Sequence, residues 1–257
     1  MRVLTLNVNG IRSAASKGFL EWMRRQRPDF VCLQEIRAFP EQMPLRARRP
    51  RGYHAYFMPA ERKGYSGVGI YSRVPADRVV RGIGYRPCDA EGRWLQIDVG
   101  DLSVVSFYMP SGSTPGRQPR KFRFMKRLMT HLRQLGRDGR SYVVCGDWNL
   151  AHKPIDLTNW RSNQKHSGFL PEERAWLDRL FSRAGFVDTF RVVDDNPERY
   201  TWWSNRGQAW AKNVGWRLDY QITTPDLASR ARTASIYTRR RFSDHAPLVM
   251  DYDDIDR

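Results

Sequence analysis

Two stretches, Phe30-Val31-Cys32-Leu33 and Tyr142-Val143-Val144-Cys145, are apolar at every position and have the length of a strand, not of a helix. Such runs read as strands buried within a sheet. Each delivers a carboxylate at its end, through Gln34-Glu35 in the first case and Gly146-Asp147 in the second. Two similar halves facing each other would bring both carboxylates to one rim, where the active sites of layered folds lie. Further apolar or alternating runs place strands near 2–8, 29–34, 66–72, 94–99, 102–108, 141–146, 217–223 and 247–252. Helical spacing marks three helices. The first covers about 18–25, with Phe19, Leu20 and Met23 on one face and Pro28 beyond it. The second covers about 119–136, with Phe122, Met125, Leu128, Met129, Leu132 and Leu135 in register. The third covers about 171–184, opening at Pro171-Glu172 and ending at Gly185. Strands outnumber helices and the helices are scattered between them. The expectation is an α/β chain, sheets with helices outside, in one domain over 1–257.

Composition narrows the partner. Hydrophobic residues are 40% of the 257, enough for a sizeable core, and the net charge of +17 points to a polyanion. The cations cluster at Arg46–Arg51, Arg117–Arg127 and Arg239–Arg241. Phe122, between Lys121 and Arg123, reads as core, and the acidic stretch Asp251–Asp256 as a solvated end. No apolar stretch reaches membrane-spanning length and no secretory signal opens the chain, so a cytoplasmic protein is expected. Cys32, Cys88 and Cys145 have neither zinc spacing nor an even disulfide count. Cys32 and Cys145 read as small buried hydrophobes.

Four short motifs carry chemistry: Leu4-Thr5-Leu6-Asn7-Val8-Asn9-Gly10, Leu33-Gln34-Glu35, Gly146-Asp147-Trp148-Asn149 and Ser243-Asp244-His245-Ala246-Pro247. Cutting a phosphodiester at neutral pH needs charge neutralised on phosphate, an activated in-line water and help for the leaving oxygen. Glu35 is a hard oxygen donor suited to Mg²⁺. Asp147 and Asn149, two apart, would share one side of an extended chain, the carboxylate on a water and the amide on the phosphate or on Asp147. His245 would donate to the phosphate if a carboxylate such as Asp219 held its far nitrogen. Tyr108, ending the run Val104–Phe107, is either a phosphate donor or a core aromatic. Trp202, Trp203, Trp210 and Trp216 crowd one region with Arg206 and Lys212, as core or as a stacking surface for nucleotides.

The chain resembles the exonuclease III family of abasic-site endonucleases, within the wider endonuclease/exonuclease/phosphatase fold. The resemblance runs from Asn7-Val8-Asn9-Gly10-Ile11-Arg12 through Lys63-Gly64-Tyr65-Ser66-Gly67-Val68, Gly146–Asn149, Ile155-Asp156-Leu157 and Gly168–Arg174 to Gly215–Tyr220 and Ser243–Pro247. It implies a four-layered α/β sandwich, two mixed sheets packed face to face with helices outside. It also implies a Mg²⁺-dependent cut 5′ to abasic sites in duplex DNA, with 3′-end trimming at nicks or 3′ blocks, by a monomeric bacterial repair enzyme. Mn²⁺ would be a substitute metal. By matching position the metal side would comprise Asn7, Glu35, Asp147, Asn149, Asp244 and His245. The catalytic set would be Tyr108, Asp147, Asn149, Asp219 and His245. Trp202, Trp216 and Leu218 would line the pocket for the flipped-out sugar, with Arg37, Ser111, Arg206 and His166 along the DNA. Four positions depart from the commoner pattern. Asn9 replaces an aspartate, Ser111 a longer amide, and Arg206 a methionine wedge. His166 stands where some relatives carry asparagine or cysteine, and an imidazole there would obstruct continuous duplex while admitting a terminus. The alternative activity is therefore a 3′→5′ exonuclease without efficient abasic incision.

Overall fold

The computed structural model describes residues 1–253. Its strands are β1 Arg2–Asn7, β2 Phe30–Gln34, β3 His54–Met58, β4 Val68–Ser72, β5 Arg78–Arg81, β6 Trp94–Val99 and β7 Leu102–Tyr108. They continue with β8 Ser141–Asp147, β9 Val187–Asp188, β10 Trp202–Trp203, β11 Gly215–Trp216, β12 Asp219–Thr223, β13 Ala231–Ile236 and β14 Leu248–Tyr252. One six-stranded sheet has the order β13-β14-β1-β2-β4-β3 and the other β5-β6-β7-β8-β12-β9, while β10 and β11 form a small ribbon. Both large sheets are mixed. Each has one parallel pair, β1–β2 or β7–β8, with antiparallel neighbours.

The two apolar runs are explained by what covers them. Val3, Phe30 and Cys32 meet Val104, Val143 and Cys145 in one core between the sheets. On the outer face of the first sheet, Leu4, Leu6, Val31 and Leu33 pack under helices 11–16 and 19–26. On the outer face of the second, Val105, Phe107, Tyr142 and Val144 pack under helices 118–135 and 171–183. The result is the four-layered sandwich, and a strand buried on both faces has no polar side to alternate.

Side chains alternate along a strand, so the inner face is read by twos. Val3 and Thr5 lead to Asn7, Val104 and Ser106 to Tyr108, and Val143 and Cys145 to Asp147. The last inward position of each of these strands is a candidate functional residue. Gly146 lets β8 approach β7 at that point, since a Cβ there would lie 1.9 Å from the Phe107 carbonyl oxygen.

Several expectations need correction. Phe122 is partly buried and packs against the core as expected, with Phe124 fully buried beside it, but Lys121 lies in the interior instead of on a basic surface. Asp251 pairs with Arg2 at 2.7 Å and Asp253 pairs with Arg232, so this part of the acidic stretch is engaged; 254–256 lie outside the described residues. All three cysteines are buried and free. Among the described residues no helix is long and apolar enough to cross a membrane.

Candidate active site

The strand ends converge because their registers align. Tyr108 lies opposite Asp147 across the parallel β7–β8 pair, and Asp219 lies opposite Asp147 across β8–β12. From the facing sheet, Asn7 ends β1 beside Gln34, and Glu35 follows directly. Asn7, fully buried, joins the two sheets. Its Nδ2 donates to Glu35 Oε1 and to Asp147 Oδ2, each at 2.9 Å. The Asn9 N–H donates to Asn7 Oδ1 at 3.0 Å, which fixes the amide's orientation.

Asp147 is buried, and its neighbours are all specific. Oδ1 accepts the Asn149 N–H at 2.8 Å, and Asn149 Nδ2 donates to the Met109 carbonyl at 2.9 Å. The segment is therefore not extended. Asn149 sits in the left-handed region at φ 49°, and the Asp147 side chain caps a turn. Glu35, Arg37 and Asn9 also have left-handed backbone, at φ 51°, 50° and 43°. For glutamate and arginine such conformations cost energy and persist only where surrounding structure imposes them.

His245 Nδ1 lies 2.8 Å from Asp219 Oδ2, and its Nε2 lies 3.7 Å from Asp147 Oδ2. Burial alone would lower the imidazole, but the charges of Asp219, Asp147 and Asp244 reverse this and push it up to about 10. Burial pushes the Asp147 carboxyl up to about 7, with His245 opposing and Asp219 adding to the rise. Burial, with the Glu35 charge beside it, holds the Tyr108 phenol protonated well above its ordinary value. Asp244 is tied by Asn9 Nδ2 at 2.8 Å, Ser243 Oγ at 3.0 Å and Trp202 Nε1 at 3.2 Å.

Among the described residues, no three His, Cys, Asp or Glu side chains cluster into a metal cage. A hard divalent cation of the Mg²⁺ kind binds through one or two carboxylates and keeps several waters. Glu35 fits such a cation, with Arg37 Nε donating to its Oε2 at 2.7 Å. Asn7 and Asn149 present amide nitrogens toward the carboxylates in this arrangement.

The remaining expected residues divide by position. Trp202 and Trp216 are partly exposed and pair across the β10–β11 ribbon, Trp202 also bridges to His245, and Leu218 is buried next to Asp219. Trp203, by contrast, is core and packs on Trp210 at 4.3 Å, so the tryptophan group splits between core and site. Arg37, Arg206 and His166 are exposed, and Ser111 is half-buried, 2.9 Å from Ser113 Oγ. A cavity of about 160 Å³ beside Glu35 is lined by Tyr65, Arg93, Tyr108, Ser111, Arg117 and Arg120, among others. Sequence reasoning missed Arg93. Buried, it bonds Glu91 at 2.6 Å and the Tyr108 carbonyl at 3.1 Å, and it stacks 4.6 Å over the Tyr108 ring. No local signal distinguishes it from any arginine at the start of a strand.

Two facing mixed sheets with a carboxylate–amide–imidazole rim define an α/β-sandwich hydrolase of the nuclease type. The chain belongs to the endonuclease/exonuclease/phosphatase family, whose model matches residues 4–245. It is 35% identical over 254 residues to the exodeoxyribonuclease of Bacillus subtilis, covering 97% of this chain and 98% of that one. Among solved structures it is similar to an AP endonuclease from Archaeoglobus fulgidus, with TM-score 0.89 and 28% identity over 99% of this chain and 100% of that one. It is also similar to a 3′-5′ exonuclease from Neisseria meningitidis, with TM-score 0.91 and 25% identity over 98% of this chain and 100% of that one.

Proposed function

We propose that the chain is a Mg²⁺-dependent DNA phosphodiesterase of base excision repair, which incises duplex DNA 5′ to abasic sites and trims blocked or nicked 3′ ends. The observation that carries this reading is the Asn7 amide, 2.9 Å from both Glu35 and Asp147, with the imidazole of His245 3.7 Å from Asp147. Glu35 would hold a divalent cation, Mg²⁺ with Mn²⁺ as substitute, which when bound would supply charge neutralisation at the phosphate. Asp147 orients the attacking water and accepts its proton, while Asn7 and the Asn149 N–H hold the carboxylate in place. His245, kept cationic by Asp219, donates from Nε2 to the phosphoryl oxygens as charge grows on them. Tyr108 adds a neutral phenolic donor. Asp244 braces the metal side through Asn9.

Trp202, Trp216 and Leu218 form the wall that takes an extruded sugar; an abasic nucleotide suits extrusion because it has no base to unstack. Arg37, Ser111 and Arg206 meet the flanking backbone. The chain acts as a monomer on chromosomal DNA, in the cytoplasm at the bacterial nucleoid.

A second reading, 3′-end trimming without efficient abasic incision, is favoured by His166. That side chain is exposed on a loop whose Gly168 lies against Trp216, close enough that a Cβ would meet the ring at 3.3 Å. An imidazole there narrows the path of a continuous duplex and leaves a terminus free. The test compares two matched duplexes, one with an internal abasic analogue and one with a 3′ end at a nick, in Mg²⁺ and in EDTA. Rapid Mg²⁺-dependent cutting of the abasic duplex supports the main reading. Trimming of the nick alone supports the second, and cutting of neither refutes both.

A further inference from the structure

The basic run Arg117–Arg127 contains a lysine that never reaches solvent. Lys121, on helix 118–135, is fully buried; its Nζ lies 2.7 Å from Glu173 Oε1 and donates to the Asn149 carbonyl at 2.8 Å. Glu173, on helix 171–183, is equally buried and fully engaged. Its Oε2 accepts the Gly168 N–H at 2.6 Å and the Leu170 N–H at 3.1 Å, and its Oε1 accepts Gln118 Nε2 at 2.9 Å. The Gly168 carbonyl in turn accepts the Ala151 N–H at 2.8 Å. One ion pair thus holds two segments: the turn through Asn149 and the base of the loop that carries His166.

A buried ion pair is weak evidence for stability, because an apolar pair of similar volume often does as well. What an apolar pair could not supply here is a donor to the Asn149 carbonyl. That residue is left-handed at φ 49°, and its N–H is one of the bonds that fix Asp147 Oδ1. Without Nζ the turn keeps the Asn149 Nδ2 bond to the Met109 carbonyl but loses the side-chain donor to its own carbonyl.

We propose that Lys121 and Glu173 are positioning residues, which set Asp147 by fixing the Asn149 turn and lock that turn to loop 163–170. The inference rests on the phosphodiesterase reading above, and its test separates the two. Single-turnover cleavage of the abasic and nicked duplexes is measured with excess wild type, Lys121→Met and the double variant Lys121→Met/Glu173→Gln. The glutamine keeps an acceptor for the Gly168 and Leu170 N–H groups while both charges are removed. Alongside, duplex affinity is measured over a salt series, and thermal melts are recorded.

At saturating enzyme a mispositioned turn lowers the rate constant, whereas partial unfolding leaves that rate constant alone and raises the enzyme concentration needed to saturate. The expected result for Lys121→Met is a rate constant about 100-fold lower, the scale of a roughly 1 Å misplacement. The enzyme concentration needed to saturate, duplex affinity and salt dependence are expected to stay unchanged, because the buried Nζ does not meet DNA. The double variant is expected to melt near wild type and remain slow. Three outcomes overturn the inference: a wild-type rate constant in Lys121→Met, recovery of rate together with melting temperature in the double variant, or weakened DNA binding with a salt slope smaller by about one, the mark of a phosphate contact. A wild type that cleaves neither duplex refutes the phosphodiesterase reading instead.

Discussion

Asp219→Asn leaves the shape of its site and an acceptor for His245 Nδ1 but removes one negative charge 2.8 Å away. In the native site the imidazole is pushed up to about 10: burial works against the charged form, and Asp219 leads the carboxylates that overcome it. A rise of that size from the ordinary histidine value corresponds to about 5 kcal/mol of preference for imidazolium. Without the leading carboxylate only Asp147 and Asp244 oppose burial, so the ring loses its proton at a lower pH. Loss of a charged donor to the developing phosphorane is expected to cost about 10²–10³ in kcat, or about 3–4 kcal/mol. The diagnostic is the kcat profile from neutral to alkaline pH in saturating Mg²⁺. Wild type rises through about 7 as Asp147 ionises and then holds a plateau until His245 loses its proton near 10, whereas the variant's alkaline limb moves down by about one unit or more. Stability follows the same sign. A raised folded value contributes stability that is present below the unfolded histidine value and lost as pH rises through about 10, so wild type loses melting temperature there and the variant does not. An unmoved alkaline limb with native kcat would refute the assignment of His245 as a charged donor held by Asp219.

Three further outcomes are expected. Arg217→Met leaves the buried Asp156 and Asp188 without the guanidinium that bonds them at 2.8 and 2.6 Å, costing about 3–5 kcal/mol and roughly 10 °C in melting temperature. Burial alone would raise Asp156, but Arg217 and Arg191 hold it well below the usual carboxylate range, so this stability is lost as pH falls and the gap between variant and wild type should close in acid; a constant gap contradicts the pairing. Gly146→Ala forces a Cβ against the Phe107 carbonyl and should cost more than about 3 kcal/mol by thermal melt; a native melt would show that β7 and β8 part easily. His166→Gly should raise abasic incision relative to 3′ trimming, and an unchanged ratio of the two initial rates removes His166 from substrate choice.

The sequence revealed most of the strands that build the centre of both sheets, because a strand covered on both faces writes an unbroken apolar run. It hid the edges. β13 is half-exposed and reads Ala-Arg-Thr-Ala-Ser-Ile, and β5 is a four-residue strand with arginine at each end, so neither shows a buried pattern. The short helices, such as 11–16 and 45–48, are too brief to display a period. Asn7, Glu35, Asp147 and His245 were legible as polar residues at the ends of apolar runs, and the structure brings them to one rim. Asp219 was legible only as a partner for His245, and its position follows from β12 pairing with β8. Distance in sequence concealed the Lys121–Glu173 pair. Charge density around Lys121 signals a surface, and only the packing of helix 118–135 on helix 171–183 turns that residue inward.

The central claim is that Asp147 serves the attacking water on a DNA phosphodiester. The most direct measurement is Asp147→Asn on the abasic duplex in Mg²⁺, with cleavage by quenched flow and affinity by fluorescence anisotropy on the same preparation. The account predicts a fall in turnover of about 10²–10⁴, the range for a positioned general base, with duplex affinity within a few-fold of wild type. Near-native turnover in that variant would contradict it.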